Sequence, residues 1–268
     1  MKYGFCLGIG FLRGDAMALA TFNAVAEAGF DYVELPLYTL WDMPASEISK
    51  LKEALRIIPC RACNIFFPGG LTIVGPKRDM NGVNAYLEKM LPLVASLGIE
   101  TLVFGNGEAR KVPEGQNRQA IWDNLREVVE TMDSHAKKAG VKISIEPLNH
   151  SETNIINTYN EAVALAKGLT HVSGMIDSYH VATDSQTYDD VYSHPGALKH
   201  LHTAYPIGRM VPSPEDDMAL YAGFVQMVKA LMYNGKISVE GALRATNPQG
   251  VMAEVKACLE VLKGMFAK

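Results

Sequence analysis

Two stretches, Lys142-Ile143-Ser144-Ile145-Glu146 and Lys236-Ile237-Ser238-Val239-Glu240, spell nearly the same strand twice. Successive side chains of an extended chain alternate sides. Ile143 and Ile145, or Ile237 and Val239, therefore go to one face, while Ser144 with Glu146, or Ser238 with Glu240, go to the other. Each strand ends by presenting a glutamate on its polar face. Two more strand-like segments in the same half of the chain end in residues of related chemistry: Gly174-Met175-Ile176 runs into Asp177, and Lys199-His200-Leu201 into His202. Three carboxylates converging without a cation would carry a desolvation and repulsion cost on the order of several kcal/mol. The pattern points to a bound divalent cation.

Working outward, strand patterns recur at 3–8, 30–35, 61–66, 101–105, 142–146, 173–177, 198–203 and 236–240. Apolar positions three and four apart predict helices near 15–28, 45–57, 80–97, 117–139, 157–168, 187–193, 215–233 and 249–266. The boundaries are marked chemically. Asp15 can cap the first helix and Gly29 end it, Gly98 and Gly140 follow the third and fourth, and Asn247-Pro248 sets a cap residue before a first-turn proline in the last. Pro92 predicts a kink or break in the third helix. Eight βα units imply a parallel sheet, and the absence of long insertions favours closure over an open doubly wound sheet. The expected fold class is α/β, a (β/α)8 TIM barrel, with residues 1–268 as one domain; 268 residues is close to the roughly 250 typical of such barrels. Gly8-Ile9-Gly10 after the first strand lacks the third glycine of a dinucleotide fingerprint. In a barrel, Glu146, Asp177, His202 and Glu240 end strands five to eight and meet at one mouth.

Composition narrows the function. A net charge of −4 offers no general attraction to a phosphate backbone, so no nucleic-acid partner is expected. Neither is a membrane, since no apolar run approaches the roughly 18 residues that span one. The first residues run straight into a strand pattern with no signal-peptide architecture, and the expected location is cytoplasmic. Four cysteines are too sparse for a disulfide framework. Cys60-Arg61-Ala62-Cys63 has redox-motif spacing but lies in a strand pattern, where positions three apart face opposite sides, so all four cysteines read as structural.

The segments Ile145-Glu146-Pro147-Leu148-Asn149-His150-Ser151-Glu152, Ile176-Asp177-Ser178-Tyr179-His180, Leu201-His202-Thr203 followed by Gly208-Arg209, and Ser238-Val239-Glu240-Gly241 resemble the xylose-isomerase-like barrel superfamily of sugar isomerases and epimerases. The resemblance covers essentially the whole chain and is strongest to the ketose 3-epimerases. It implies a metal-dependent isomerase or epimerase acting on a small-molecule sugar through an enediolate intermediate. It further implies that Glu146, Asp177, His202 and Glu240 hold one divalent metal ion, Mn²⁺, Co²⁺ or Mg²⁺. Oxygen-rich ligation with one imidazole suits those ions, and four ligands leave octahedral positions open for sugar oxygens. By the same resemblance Glu146 and Glu240 are the catalytic bases on opposite sides of the ketose, and Glu152, His180 and Arg209 contact substrate oxygens. Members often form homodimers or homotetramers. In the epimerases the arginine follows the histidine by six positions; here Gly208 stands at six and Arg209 at seven, with Tyr205-Pro206-Ile207 as the loop that absorbs the extra residue. The segment Phe104-Gly105-Asn106-Gly107-Glu108-Ala109-Arg110 also departs from the epimerase pattern, and it is where substrate specificity is expected to be read.

Other residues carry paired readings. His180 can contact substrate or support a ligand from behind. His200, one layer deeper than His202, is expected to be a packed, hydrogen-bonded histidine. Glu34 ends strand two on the inward parity, which suits either the mouth or a structural hydrogen bond. Trp41, Phe66 and Phe67 suit an apolar wall, a core or a dimer contact, and Arg244 after strand eight lies where many barrels bind phosphate. A lyase on the same scaffold, a dehydratase or an eliminase of keto-glycosides, would share the first deprotonation and need an acid over the leaving group, for which His150 and Glu34 are the candidates. Metal-dependent apurinic endonucleases resemble the chain at Glu146, Asp177, His180, His202 and Glu240. They require further histidines at the ends of strands three and four and an Asp-x-His after strand seven, where this sequence has Asn64, Asn106 and no such motif.

Overall fold

The computed structural model describes residues 1–267. Eight strands, β1 (Lys2–Cys6), β2 (Tyr32–Pro36), β3 (Cys60–Asn64), β4 (Thr101–Phe104), β5 (Lys142–Ile145), β6 (Val172–Asp177), β7 (Leu198–Thr203) and β8 (Lys236–Val239), pair in parallel in chain order and close through β1 with β8. Around them lie α1 (Ala16–Ala28), α2 (Ala45–Ala54), α3 (Met80–Ser96), α4 (Gly107–Arg110), α5 (Arg118–Ala139), α6 (Tyr159–Ala166), α7 (Ser178–Thr183), α8 (Asp189–Ser193), α9 (Ala222–Ala230) and α10 (Pro248–Met265). This is the expected eightfold α/β barrel. No helix among the described residues is long and apolar enough to cross a membrane.

Alternation along the strands sorts the side chains into two environments. Phe5, Val33, Leu35, Ile143, Ile145, Ile237 and Val239 are buried in the apolar layer beneath the helices. The polar set, Tyr32, Glu34, Ser144, His200, His202 and Ser238, is equally buried. Helix starts follow the expected capping chemistry: Asp15 accepts from the Ala18 amide, Asn247 from the Gly250 amide, and Thr158 with Glu161 forms a reciprocal capping box on α6.

One local expectation is narrowed and another corrected. The break allowed for at Pro92 does not occur, and helix α3 runs on past it. Pro92 and Glu88, whose carbonyl the proline leaves without its helical donor, both lie on the solvent side, where water can satisfy that carbonyl. Cys60 and Cys63 do not diverge. The β2–β3 register jumps from Val33 opposite Cys60 to Glu34 opposite Ala62, a bulge that restores both thiols to the apolar core. Burial and the neighbouring Cys60 raise the Cys63 thiol well above its ordinary pKa, and both remain free thiols, which suits packing and not redox exchange.

Candidate active site

The four strand-end residues converge. Glu146 directly follows β5, its amide donating to the Phe104 carbonyl on β4 at 3.2 Å, and Glu240 directly follows β8, its amide donating to Thr203 on β7 at 3.0 Å. Asp177 closes β6 and caps α7, accepting from the Tyr179 amide at 2.9 Å. His202 lies on β7 opposite Asp177. One ligand atom from each of Glu146, Asp177, His202 and Glu240 falls within 4.8 Å of all the others. His202 Nδ1 is 3.3 Å from Glu146 Oε1 and 3.1 Å from Glu240 Oε2.

Beneath this cluster Glu34 resolves its two sequence readings in favour of support. Its Oε1 lies 3.0 Å from His202 Nε2 and its Oε2 2.9 Å from His200 Nε2, and the Ser238 hydroxyl donates to Oε2 at 2.5 Å. His200 is the packed histidine expected. Burial by itself would raise Glu34, but the two imidazoles hold its carboxyl far below the usual carboxylate range. A carboxylate that accepts from His202 Nε2 leaves Nδ1 as the nitrogen facing Glu146 and Glu240, the usual way an outer carboxylate orients a ligating histidine.

Above the cluster, His180 on α7 points Nε2 into the site, 3.7 Å from Asp177 Oδ2 and 3.9 Å from Glu146 Oε1, with no hydrogen-bond partner. Asn149 Nδ2 donates to its Nδ1 at 2.8 Å, which places the proton of the neutral ring on Nε2. Burial lowers the His180 pKa although Glu146 opposes it, so the ring is a neutral donor aimed into the cavity. Arg209, one residue later than the resemblance implied, still reaches the site. Gly208 and Arg209 both take positive φ, 76° and 51°, in the turn that carries the guanidinium to the site. The Arg209 guanidinium lies 4.6 Å over the Tyr179 ring, donates to Glu240 Oε2 at 2.8 Å and Asp177 Oδ2 at 3.2 Å, and sits 3.5 Å from Glu152 Oε1.

These surroundings split the carboxyl groups. Burial pushes Asp177 up to about 6 against the pull of Arg209, and raises Glu146 against His202. Glu240, despite burial, is drawn below its ordinary value by His202 and Arg209. Two carboxyls with opposed shifts in one site are the arrangement that acid–base chemistry uses.

Three contributors were missed from sequence. Asn64, ending β3, donates to Glu240 Oε1 at 2.6 Å; its place at a strand end on the inward parity, like that of Glu34, was the available signal. Gly105 leaves the space that Glu146 occupies: a Cβ there would lie 2.0 Å from Glu146 Oε2. Arg110 is fully buried and, instead of facing substrate, donates to the carbonyls of Phe104 at 3.0 Å and Glu146 at 2.5 Å, fixing the strand ends from behind. An arginine in a short segment after a strand carries no sequence signal for that role.

The expected roles of other residues sort out similarly. Phe66 and Phe67 are buried in an aromatic cluster with Tyr86 and Phe104, and Trp41 packs on Tyr86. Arg244 is held by Asp216 and the Val211 carbonyl, 2.8 and 2.7 Å away, and so is committed within the protein and not to a phosphate. His150 is largely exposed and bonds Asp184 at 2.6 Å.

A cavity of about 310 Å³ opens over the cluster, lined among others by Asn64, Glu146, Glu152, His180, Arg209 and Glu240. The donor set fits a divalent cation of the Mn²⁺, Co²⁺ or Mg²⁺ kind. It offers three carboxylates and one oriented imidazole, and buried Glu146 Oε1 has no hydrogen-bond partner.

The chain is a closed parallel barrel whose strand ends gather three carboxylates and a histidine into a cluster that could hold a metal ion. The chain belongs to the xylose isomerase-like TIM barrel family, whose model matches residues 22–262. It is 25% identical to a D-psicose 3-epimerase of Agrobacterium fabrum over 67% of this chain and 64% of that enzyme, slightly under two thirds of the relative's length. It is also 25% identical to a 3-dehydro-D-guloside 4-epimerase of Escherichia coli, over 86% of this chain and 89% of the relative. The crystal structure of a 3-keto-D-glucoside 4-epimerase from E. coli superimposes with a TM-score of 0.75 at 21% identity, covering 98% of this chain and 99% of that one, and so shares the fold.

Proposed function

We propose that the whole chain is one catalytic domain, a divalent-metal-dependent epimerase or isomerase of a keto-sugar, with Glu146, Asp177, His202 and Glu240 as ligands. A metal bound there would polarise the sugar carbonyl and stabilise the negative charge that develops on its oxygen, which a carboxylate base alone cannot do for so weak a carbon acid. In this reading Glu146 and Glu240 exchange the proton on the carbon beside the carbonyl, one removing it and the other returning it. His180 offers its Nε2 proton to a sugar oxygen, and Glu152 and Arg209 orient the hydroxyls above. The observation that carries the proposal is the meeting of Glu146 and Glu240 with Asp177 and His202 in one buried cluster under a sugar-sized cavity. The two epimerase relatives support the reaction class. With Arg244 engaged by Asp216, the reading favours an unphosphorylated sugar.

Elimination is less well served, because both acids named for it are occupied elsewhere: Glu34 lies below the cluster between two histidines, and His150 turns to Asp184. Nuclease chemistry is opposed by the use of Asn64 and Asn106 for bonds within the protein. The cytoplasm, one Mn²⁺, Co²⁺ or Mg²⁺ ion as metal, and a homodimer or homotetramer complete the reading. Metal analysis of the purified protein, followed by incubation of the Mn²⁺-loaded form with ketoses and 3-keto-glycosides, tests it by product. Formation of an epimer or an aldose agrees; an unsaturated product moves the enzyme to the lyases, and phosphodiester cleavage to the nucleases.

A further inference from the structure

The cavity over the carboxylates does not stand alone. A second chamber of about 760 Å³ lies outside the β2, β3 and β4 strand ends. The two share four lining residues, Ile65, Asn106, Glu108 and Ala109, so they meet across one sill.

That sill is firmly built. Asn106 clamps the Phe67 backbone from both sides, accepting from its amide at 2.9 Å and donating to its carbonyl at 3.0 Å. The Tyr38 amide donates to the Ile65 carbonyl at 3.3 Å, and the Tyr86 hydroxyl to the Phe66 carbonyl at 2.5 Å. Ile65 itself sits at φ 47°. A β-branched residue in the left-handed region is strained, and such strain persists where the surroundings fix it and clusters at ligand sites. The residue stays 39% exposed and borders both cavities, although its neighbours Phe66 and Phe67 are buried.

Beyond the sill the walls are mainly apolar. Tyr38, Leu71 and Val112 turn apolar surface towards the chamber, with Tyr38 41% exposed, and the exposed Glu108, Lys111 and Glu114 also line it. A free ketose fits within the first cavity and has no use for a second, larger one. An exposed tyrosine ring with aliphatic walls suits the flat face of another ring.

We propose that the substrate is a keto-sugar carrying an O-linked ring, and that this ring, a glycosyl or an aryl group, binds in the second chamber against Tyr38 while the keto-sugar occupies the carboxylate cavity. The assignment rests on the carbonyl-adjacent proton transfer proposed above and selects glycosides over free ketoses within it. Ile65 and Ala109 then set the passage between the two rings, and Tyr38 and Val112 the preference for what is attached.

The test compares kcat/KM of the Mn²⁺-loaded enzyme for methyl, phenyl and glucosyl 3-keto-glucosides, each as both anomers. Wild type should favour a ringed substituent over methyl by about tenfold, since filling a well-formed apolar site is worth that much discrimination. The phenyl and glucosyl arms tell an aryl group from a second sugar. Thr72→Trp, at an exposed rim position, fills the chamber, and Tyr38→Ala removes its aromatic wall; in each the ratio should fall towards one. Saturation-transfer NMR with unoxidised phenyl glucoside gives a reading independent of turnover, with phenyl protons saturated in wild type and not in Thr72→Trp. Equal kcat/KM for methyl and ringed substrates, or a preference untouched by both variants, overturns the second subsite while leaving the reaction in place. No turnover of these glycosides while a free ketose is converted overturns the subsite and leaves the reaction in place; no turnover of the glycosides or of any free ketose overturns both.

Discussion

Replacing Gly105 by alanine tests how tightly Glu146, the proposed base, is held. The added methyl would lie 2.0 Å from Glu146 Oε2 and 3.2 Å from its Cδ, whereas ordinary contact begins near 3.4 Å, so the carboxylate oxygen must retreat by 1.4 Å. On a surface a glutamate would swing aside at little cost. Here Glu146 is 4% exposed, its backbone carbonyl is held by Arg110 and its amide by Phe104. Metal–ligand distances tolerate about 0.2 Å, and a misplacement of about 1 Å costs reaction rates on the order of a hundredfold. G105A should therefore lose about a hundredfold in turnover and bind Mn²⁺ more weakly. Its circular dichroism should be unchanged, because the clash falls on a side-chain tip and not on a strand. Turnover and Mn²⁺ titration beside a thermal melt measure all three. A variant with wild-type rate and affinity would refute the claim that Glu146 works from the position it occupies here.

Glu34→Gln keeps the shape of the residue under His202 and removes its charge. Mn²⁺ affinity by calorimetry should drop about 10- to 100-fold, and retention within twofold would show that Glu34 does not orient the ligand. Arg110→Met leaves the Phe104 and Glu146 carbonyls without their buried donor, and guanidinium denaturation should report a loss of about 3 kcal/mol, against under 1 kcal/mol if the arginine were a bystander. Metal binding must displace protons. Asp177 keeps one up to about pH 6, and His202, which burial would lower but Glu34 and Glu240 raise, holds another. Both groups must deprotonate to ligate, so Mn²⁺ affinity should climb with pH through this range, and calorimetry in buffers of different ionisation enthalpy should show proton release; an affinity flat between about pH 5 and pH 8 would contradict it.

The barrel was legible because strand alternation and helix stripes repeat eight times, and a repeated pattern outweighs local irregularities such as Pro92. The four ligand candidates were legible for a related reason: each ends a strand, and strand ends in a parallel barrel share one mouth. Arg209 was expected on resemblance alone, at a spacing one residue long, and it nevertheless reaches Asp177 and Glu240. What escaped depended on contacts between distant segments. A bulge in β3 inverts the face of Cys60, a buried guanidinium at Arg110 ties two strand ends, and the importance of Gly105 lies in an atom it lacks. Glu34 had the right parity, but its choice between mouth and support was decided by two histidines more than 160 positions away.

The account turns on proton transfer at the carbon beside a carbonyl by Glu146 and Glu240. The measurement that reaches it most directly is NMR of the metal-loaded protein with a 3-keto-glycoside in D₂O, run beside Glu146→Gln and Glu240→Gln variants matched for bound metal. Deuterium should enter at that carbon with the wild-type enzyme and fail to enter when either glutamate is changed. Product formed without deuterium, or exchange that survives both substitutions, would contradict it.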